Sequence, residues 1–91
     1  MIPQIVQVIP FDDYTVDVYF EDGRIVRYDV RPLLEEGVFA QLKDKKLFMG
    51  RCTILNDTLA WDISGDRDER KCIDIAPETL YALPDSDERI A

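Results

Sequence analysis

The densest run of chemically capable side chains is Asp62-Ile-Ser64-Gly-Asp66-Arg-Asp68-Glu69, with four carboxylates in eight positions. Such a run could hold a divalent cation or supply a general acid and base. A calcium loop needs glycine at its sixth position and a bidentate glutamate at its twelfth. Counted from Asp62, glycine falls fourth and Ile73 twelfth, so the run reads as a solvated loop. Acid–base catalysis by two carboxylates also needs a pocket that perturbs their proton affinity, and the pattern shows none. The competing reading is a small enzyme or ligand-binding protein using the carboxylates near Trp61, with Asp62 or Asp74 lining a deep pocket.

Histidine is absent, which removes histidine-based triads, the usual neutral-pH proton shuttle and most zinc sites. Cys52 and Cys72 have no ligand cluster beside them and read as small buried hydrophobes; a bridge between them depends on spatial approach. The four glycines, at 23, 37, 50 and 65, are too dispersed for a phosphate-cradling loop. No catalytic, cofactor-binding or metal-ligating residue is assigned, no cofactor is expected, and the chain reads as a non-enzyme.

Charge directs attention to partners. The net charge is −8, with six acids and two bases in residues 1–30, five of each in 31–63, and eight acids and four bases in 64–91. Acidic ends oppose binding to a phosphate backbone and favour a basic partner or simple solubility. Arg67, Arg70 and Lys71 alternate with Asp66, Asp68 and Glu69, which cancels their field, so no nucleic-acid binding is expected of the chain by itself. The candidate partner-binding residues are Asp12, Asp13, Asp17 and Tyr19, read as exposed, with the Asp66, Asp68 and Glu69 loop. No apolar run is long enough to span a bilayer, and the opening MIPQIVQVIP lacks the basic start of a signal peptide. A cytoplasmic location and no membrane association are the expectations.

These side chains must be positioned by a hairpin at residues 14–30. Tyr14, Val16, Val18 and Phe20 alternate with polar neighbours, as do Val26, Tyr28 and Val30 after an Asp-Gly turn. A two-residue Asp22-Gly23 loop would set Val18 against Arg27 and Val16 against Asp29. A three-residue loop, Glu21 to Gly23 with Gly23 left-handed, instead pairs Val18 with Val26, Val16 with Tyr28 and Asp17 with Arg27. Apolar and charged partners agree only in the second register, which is therefore expected.

Before the hairpin, Gln4 to Pro10 reads as a strand with Val6 and Val8 on one face and Ile5 and Ile9 on the other. A strand that is apolar on both sides needs cover on both, so self-association through it is a structural alternative. After the hairpin, Pro32 opens a short helical turn that Gly37 should stop, Val38, Phe39 and Leu42 form a second turn, and Leu47-Phe48 a third. Lys43, Lys45 and Lys46 read as its solvated side. Residues 51–63 form a second hairpin around Asn56-Asp57, pairing Ile54 with Leu59 and Cys52 with Trp61. Trp61 reads as a core anchor, with an exposed binding-site role as the alternative. Ile73 to Ile75 could add a sixth strand, and Pro77 opens a helix to Leu83. The expected architecture is one α+β domain over residues 1–83: an antiparallel three-stranded meander, short helices over one sheet face, a second hairpin and a short C-terminal helix. Residues 84–91 would form a flexible tail.

The order YTVDVYFEDG, YDVRPLLEEGVFAQLKD, LAWD and DIAPETLY resembles the small bacterial family called domain of unknown function 2442. The resemblance implies a small α+β fold and no established catalytic residues. It further implies frequent encoding beside another small protein, and for some members a suspected antitoxin role. Some longer relatives add a helix-turn-helix, which is not expected in this chain. The expectation is a non-enzymatic interaction module of antitoxin type whose partner is a small basic protein encoded by a neighbouring gene.

Overall fold

β2 (Thr15–Phe20) is the middle strand of an antiparallel sheet, flanked by β1 (Ile5–Pro10) and β3 (Ile25–Asp29). A second antiparallel sheet is built from β4 (Cys52–Leu55), β5 (Thr58–Trp61) and β6 (Ile73–Ile75). The architecture is α+β. The computed structural model describes residues 2–63, 65 and 73–83; the 84–91 tail, Cys72 and the Asp66, Asp68 and Glu69 loop lie outside the described residues.

The β2–β3 register is the one that pairs like with like. Val18 faces Val26, Val16 faces Tyr28 and Asp17 faces Arg27. Residues 21–23 form the loop, with the Phe20 N–H donating to the Arg24 carbonyl at 2.8 Å and Gly23 at φ +92°. Glycine adopts that left-handed conformation without the Cβ clash other residues meet. The β1–β2 connection has the same closure, Phe11 N–H to the Thr15 carbonyl at 2.8 Å, but its left-handed position belongs to Tyr14 at φ +67°. Three contacts hold Tyr14 there: its hydroxyl donates to the Lys43 carbonyl at 2.6 Å, its ring meets Phe48 edge-on, and Lys45 lies over it.

The second hairpin also follows the expected register, Ile54 with Leu59 and Cys52 with Trp61. Asn56 and Asp57 both take positive φ, 52° and 61°, as the turn with matching twist demands. β6 then pairs with β5 through Leu59–Ile75 and Trp61–Ile73.

Inner faces of both sheets share one core. Val16, Val18, Val26, Leu42, Phe48, Leu59, Trp61 and Leu80 are fully buried within it. Trp61 is thus the core anchor, stacked on Phe48 with centroids 5.7 Å apart. Pro32 does open a turn, a 3-10 segment at Arg31–Leu33. Gly37, however, starts a second 3-10 segment (Gly37–Lys43) instead of stopping the first. With three residues per turn, Phe39 and Leu42 share a face, so Leu42 is buried while Val38 is 59% exposed. α1 (Lys45–Gly50) follows, its first turn capped by Asp44, and buries Phe48. α2 (Pro77–Tyr81) buries Leu80 and sets Tyr81 edge-on against Phe20.

β1 departs from simple alternation. A bulge between Ile5 and Gln7 shifts the pairing, so Ile5 and Val8 both reach the core while Val6 points out at 57% exposure. One extra residue reverses the face of everything beyond it. β1 also lies close to β4 of the same chain.

Candidate interaction face

Strand alternation sends every second residue of the first sheet away from the core. The outward set is Gln7 and Ile9 on β1, Thr15, Asp17 and Tyr19 on β2, and Ile25, Arg27 and Asp29 on β3. Ile9, Tyr19, Ile25 and the adjoining Phe11 are half-buried, yet none belongs to the core cluster.

An ion pair occupies the centre of this face. Arg27 grips Asp17 with Nε–Oδ1 at 2.7 Å and Nη2–Oδ2 at 3.0 Å, a two-pronged match of guanidinium to carboxylate. The guanidinium also lies 5.0 Å from the Phe11 ring centroid. Hydrogen bonding to Asp17 pushes the Arg27 pKa further up. A second fork joins Arg31 to Asp29, holding the Asp29 carboxyl below its ordinary value.

Each residue expected to meet a partner has a definite position. Asp12 and Asp13 are exposed on the β1–β2 loop. Asp13 accepts from the Thr15 hydroxyl at 2.6 Å and the Thr15 N–H at 3.1 Å, and the hydroxyl bond chiefly lowers its pKa. Tyr19 is half-buried at the other end of β2, about 13 Å from Thr15 at the rise of an extended strand. Asp17 corrects the expectation of exposure: only 8% of it is exposed, because its cross-strand neighbours Ile9 and Arg27 flank it on both sides. Asp66, Asp68 and Glu69 lie outside the described residues. Ile9, Phe11 and Ile25 were not among the sequence candidates; Ile25 had a signal in its outward phase once the hairpin register was fixed, whereas Ile9 lies beyond the bulge and Phe11 beyond the end of β1.

The carboxylates near Trp61 differ in burial. Asp74 is exposed on β6 opposite Ala60. Asp62 is buried in the wall of a hollow formed with Gly50, Arg51, Cys52, Thr53 and Gly65, where its carboxylate accepts the Gly65 N–H at 3.2 Å. Burial pushes the Cys52 thiol up to about 12, which suppresses the reactive thiolate. Among the described residues no group of three or more Asp, Glu or Cys side chains is placed to hold a metal. No helix among them is long and apolar enough to cross a membrane.

No curated protein and no solved structure matches the chain. Residues 5–84 match the model of the family described as "Protein of unknown function (DUF2442)", and the chain belongs to that family.

Proposed function

We propose that this protein is a cytoplasmic, non-enzymatic interaction module of antitoxin type, which binds and neutralises a small basic protein encoded by a neighbouring gene. The observation that carries the reading is the outward face of the first sheet. Ile9, Phe11, Tyr19 and Ile25 surround the Asp17–Arg27 pair there, with Asp12 and Asp13 at the rim. Aromatic side chains and arginine are the residue types enriched where proteins meet, and a polar rim is the usual surround. With its central charges already paired, the face offers area and shape, while the net charge of −8 steers a basic partner towards it.

The test is co-expression of the tagged protein with its gene neighbour. Stoichiometric co-purification is expected, with Tyr19→Ala speeding dissociation and Asp12→Lys slowing association most at low salt. Asp12 suits the second role because it is exposed. Recovery of the protein without its neighbour would overturn the reading.

A further inference from the structure

β3 is an outer strand of its sheet, and among the described residues no strand pairs with its far side. The Phe20 N–H donates to Arg24 and the Val30 N–H to Tyr14, so residues 24, 26, 28 and 30 are those bonded to β2. The backbone groups of Ile25, Arg27 and Asp29 therefore point away from the sheet, and their N–H groups have no partner among the described residues. An edge of this kind is normally blunted by charge, since copies carrying the same sign repel. This edge carries one charge of each sign, Arg27 and Asp29, two residues apart on the same face.

We propose that β3 pairs with β3 of a second copy of this chain, antiparallel and centred on Tyr28. In that register Arg27 of one copy faces Asp29 of the other, twice, by the two-fold symmetry that such a contact requires. Both belong to the set with outward backbone groups, so each Arg27–Asp29 pair closes two main-chain hydrogen bonds. Tyr28 meets its own counterpart in the non-hydrogen-bonded position, where side chains approach most closely and aromatic pairs are favourable.

Side-chain chemistry permits the added pairing. Arg27 uses Nε and Nη2 on Asp17, leaving Nη1 to donate across the axis. Asp29 is 41% exposed at its side chain and retains acceptor capacity beyond its fork with Arg31. β1, the strand expected from sequence to self-associate, lies close to β4 of the same chain. The contact is independent of the basic partner proposed above, and it joins two first sheets into one continuous sheet.

The experiment is sedimentation equilibrium of the purified chain from micromolar to millimolar concentration, with residue-resolved amide exchange on the same samples. The expected result is a mass that doubles with concentration, accompanied by roughly tenfold slower exchange at Arg27 and Asp29. Asp29→Arg, which sets arginine against Arg27 of the other copy, should return the monomer mass throughout. The exchange measurement uses the unaltered chain, so it stands even if that variant folds poorly. A monomer at millimolar concentration would overturn the proposal, and so would a dimer in which those two amides keep exchanging fast.

Discussion

Trp61→Phe tests whether the core is built as described. The indole N–H donates to the Phe48 carbonyl at 3.1 Å, and both residues are fully buried. Phe48 sits near the end of a six-residue helix, where carbonyls have no intrahelical donor, so Trp61 acts as a side-chain cap for α1. Phenylalanine keeps the stacking but removes the donor. A buried carbonyl left without a partner costs about 1–3 kcal/mol. The lost ring leaves a cavity of roughly 40 Å³, or about 1 kcal/mol at ~24 cal/mol per Å³.

The expected loss is therefore about 2–4 kcal/mol, a large share of the stability of a small domain. Urea unfolding followed by far-ultraviolet circular dichroism measures it in both proteins, since the variant has no tryptophan to follow by fluorescence. The midpoint should fall with the slope unchanged. In the unaltered protein, emission from its single tryptophan should be blue-shifted and move red on unfolding. A loss below about 1 kcal/mol would refute the capping argument, because a satisfied carbonyl and a filled cavity cannot both be dispensable.

Asp57→Gly should stabilise the protein by roughly 0.5–1 kcal/mol in the same assay, because Asp57 is held at φ +61° in a turn that favours Asn-Gly. The Asp22 carboxyl lies below its ordinary value chiefly because the Tyr81 hydroxyl donates to it at 2.6 Å; Tyr81→Phe should return its midpoint upward in a carboxyl NMR titration. That depressed value means the contact's stabilisation is present above the unfolded-state midpoint and fades as pH falls through the folded one. For Cys52 the sign is opposite: a folded value raised to about 12 keeps the proton on while the unfolded chain loses it, so stability should fall as pH rises above about 9. In a Cys72→Ser background, the Cys52 thiol should resist a thiol reagent at neutral pH until the protein is denatured.

Both hairpins were legible because two independent signals converged on each. Val18 opposite Val26 and Asp17 opposite Arg27 favour the same register, and Ile54 opposite Leu59 agrees with a two-residue turn at Asn56-Asp57. A wrong register would have broken both signals at once. β1 lacked that redundancy. Its sequence is apolar on both phases, so nothing marked the bulge after Ile5 that turns Val6 outward. Gly37 was legible as a left-handed residue but not as the start of the next turn, because positive φ fixes one residue's backbone and leaves the direction of the chain beyond it open. Tyr14 carried no local signal for its φ of +67°, since the contacts that hold it come from Lys43, Lys45 and Phe48, about thirty residues away.

Asp17 shows why the site was harder to read than the fold. Alternation says which way a side chain points, and Asp17 does point away from the core. Whether it is exposed depends on its neighbours across the sheet. A central-strand residue has one on each side, here Ile9 and Arg27, and a short side chain between two longer ones is covered even on an outer face. Edge residues have a single flank, and Arg27 and Asp29 accordingly remain half-open. Counting formal charge treats these residues alike and overstates the field of the face, because Asp17 and Asp29 already hold guanidinium forks. For the basic partner proposed above, Asp12 and Asp13 are exposed acids at the rim of this face. The face between supplies apolar contact, so charge reversal at Asp12 should act on association and truncation of Tyr19 on dissociation.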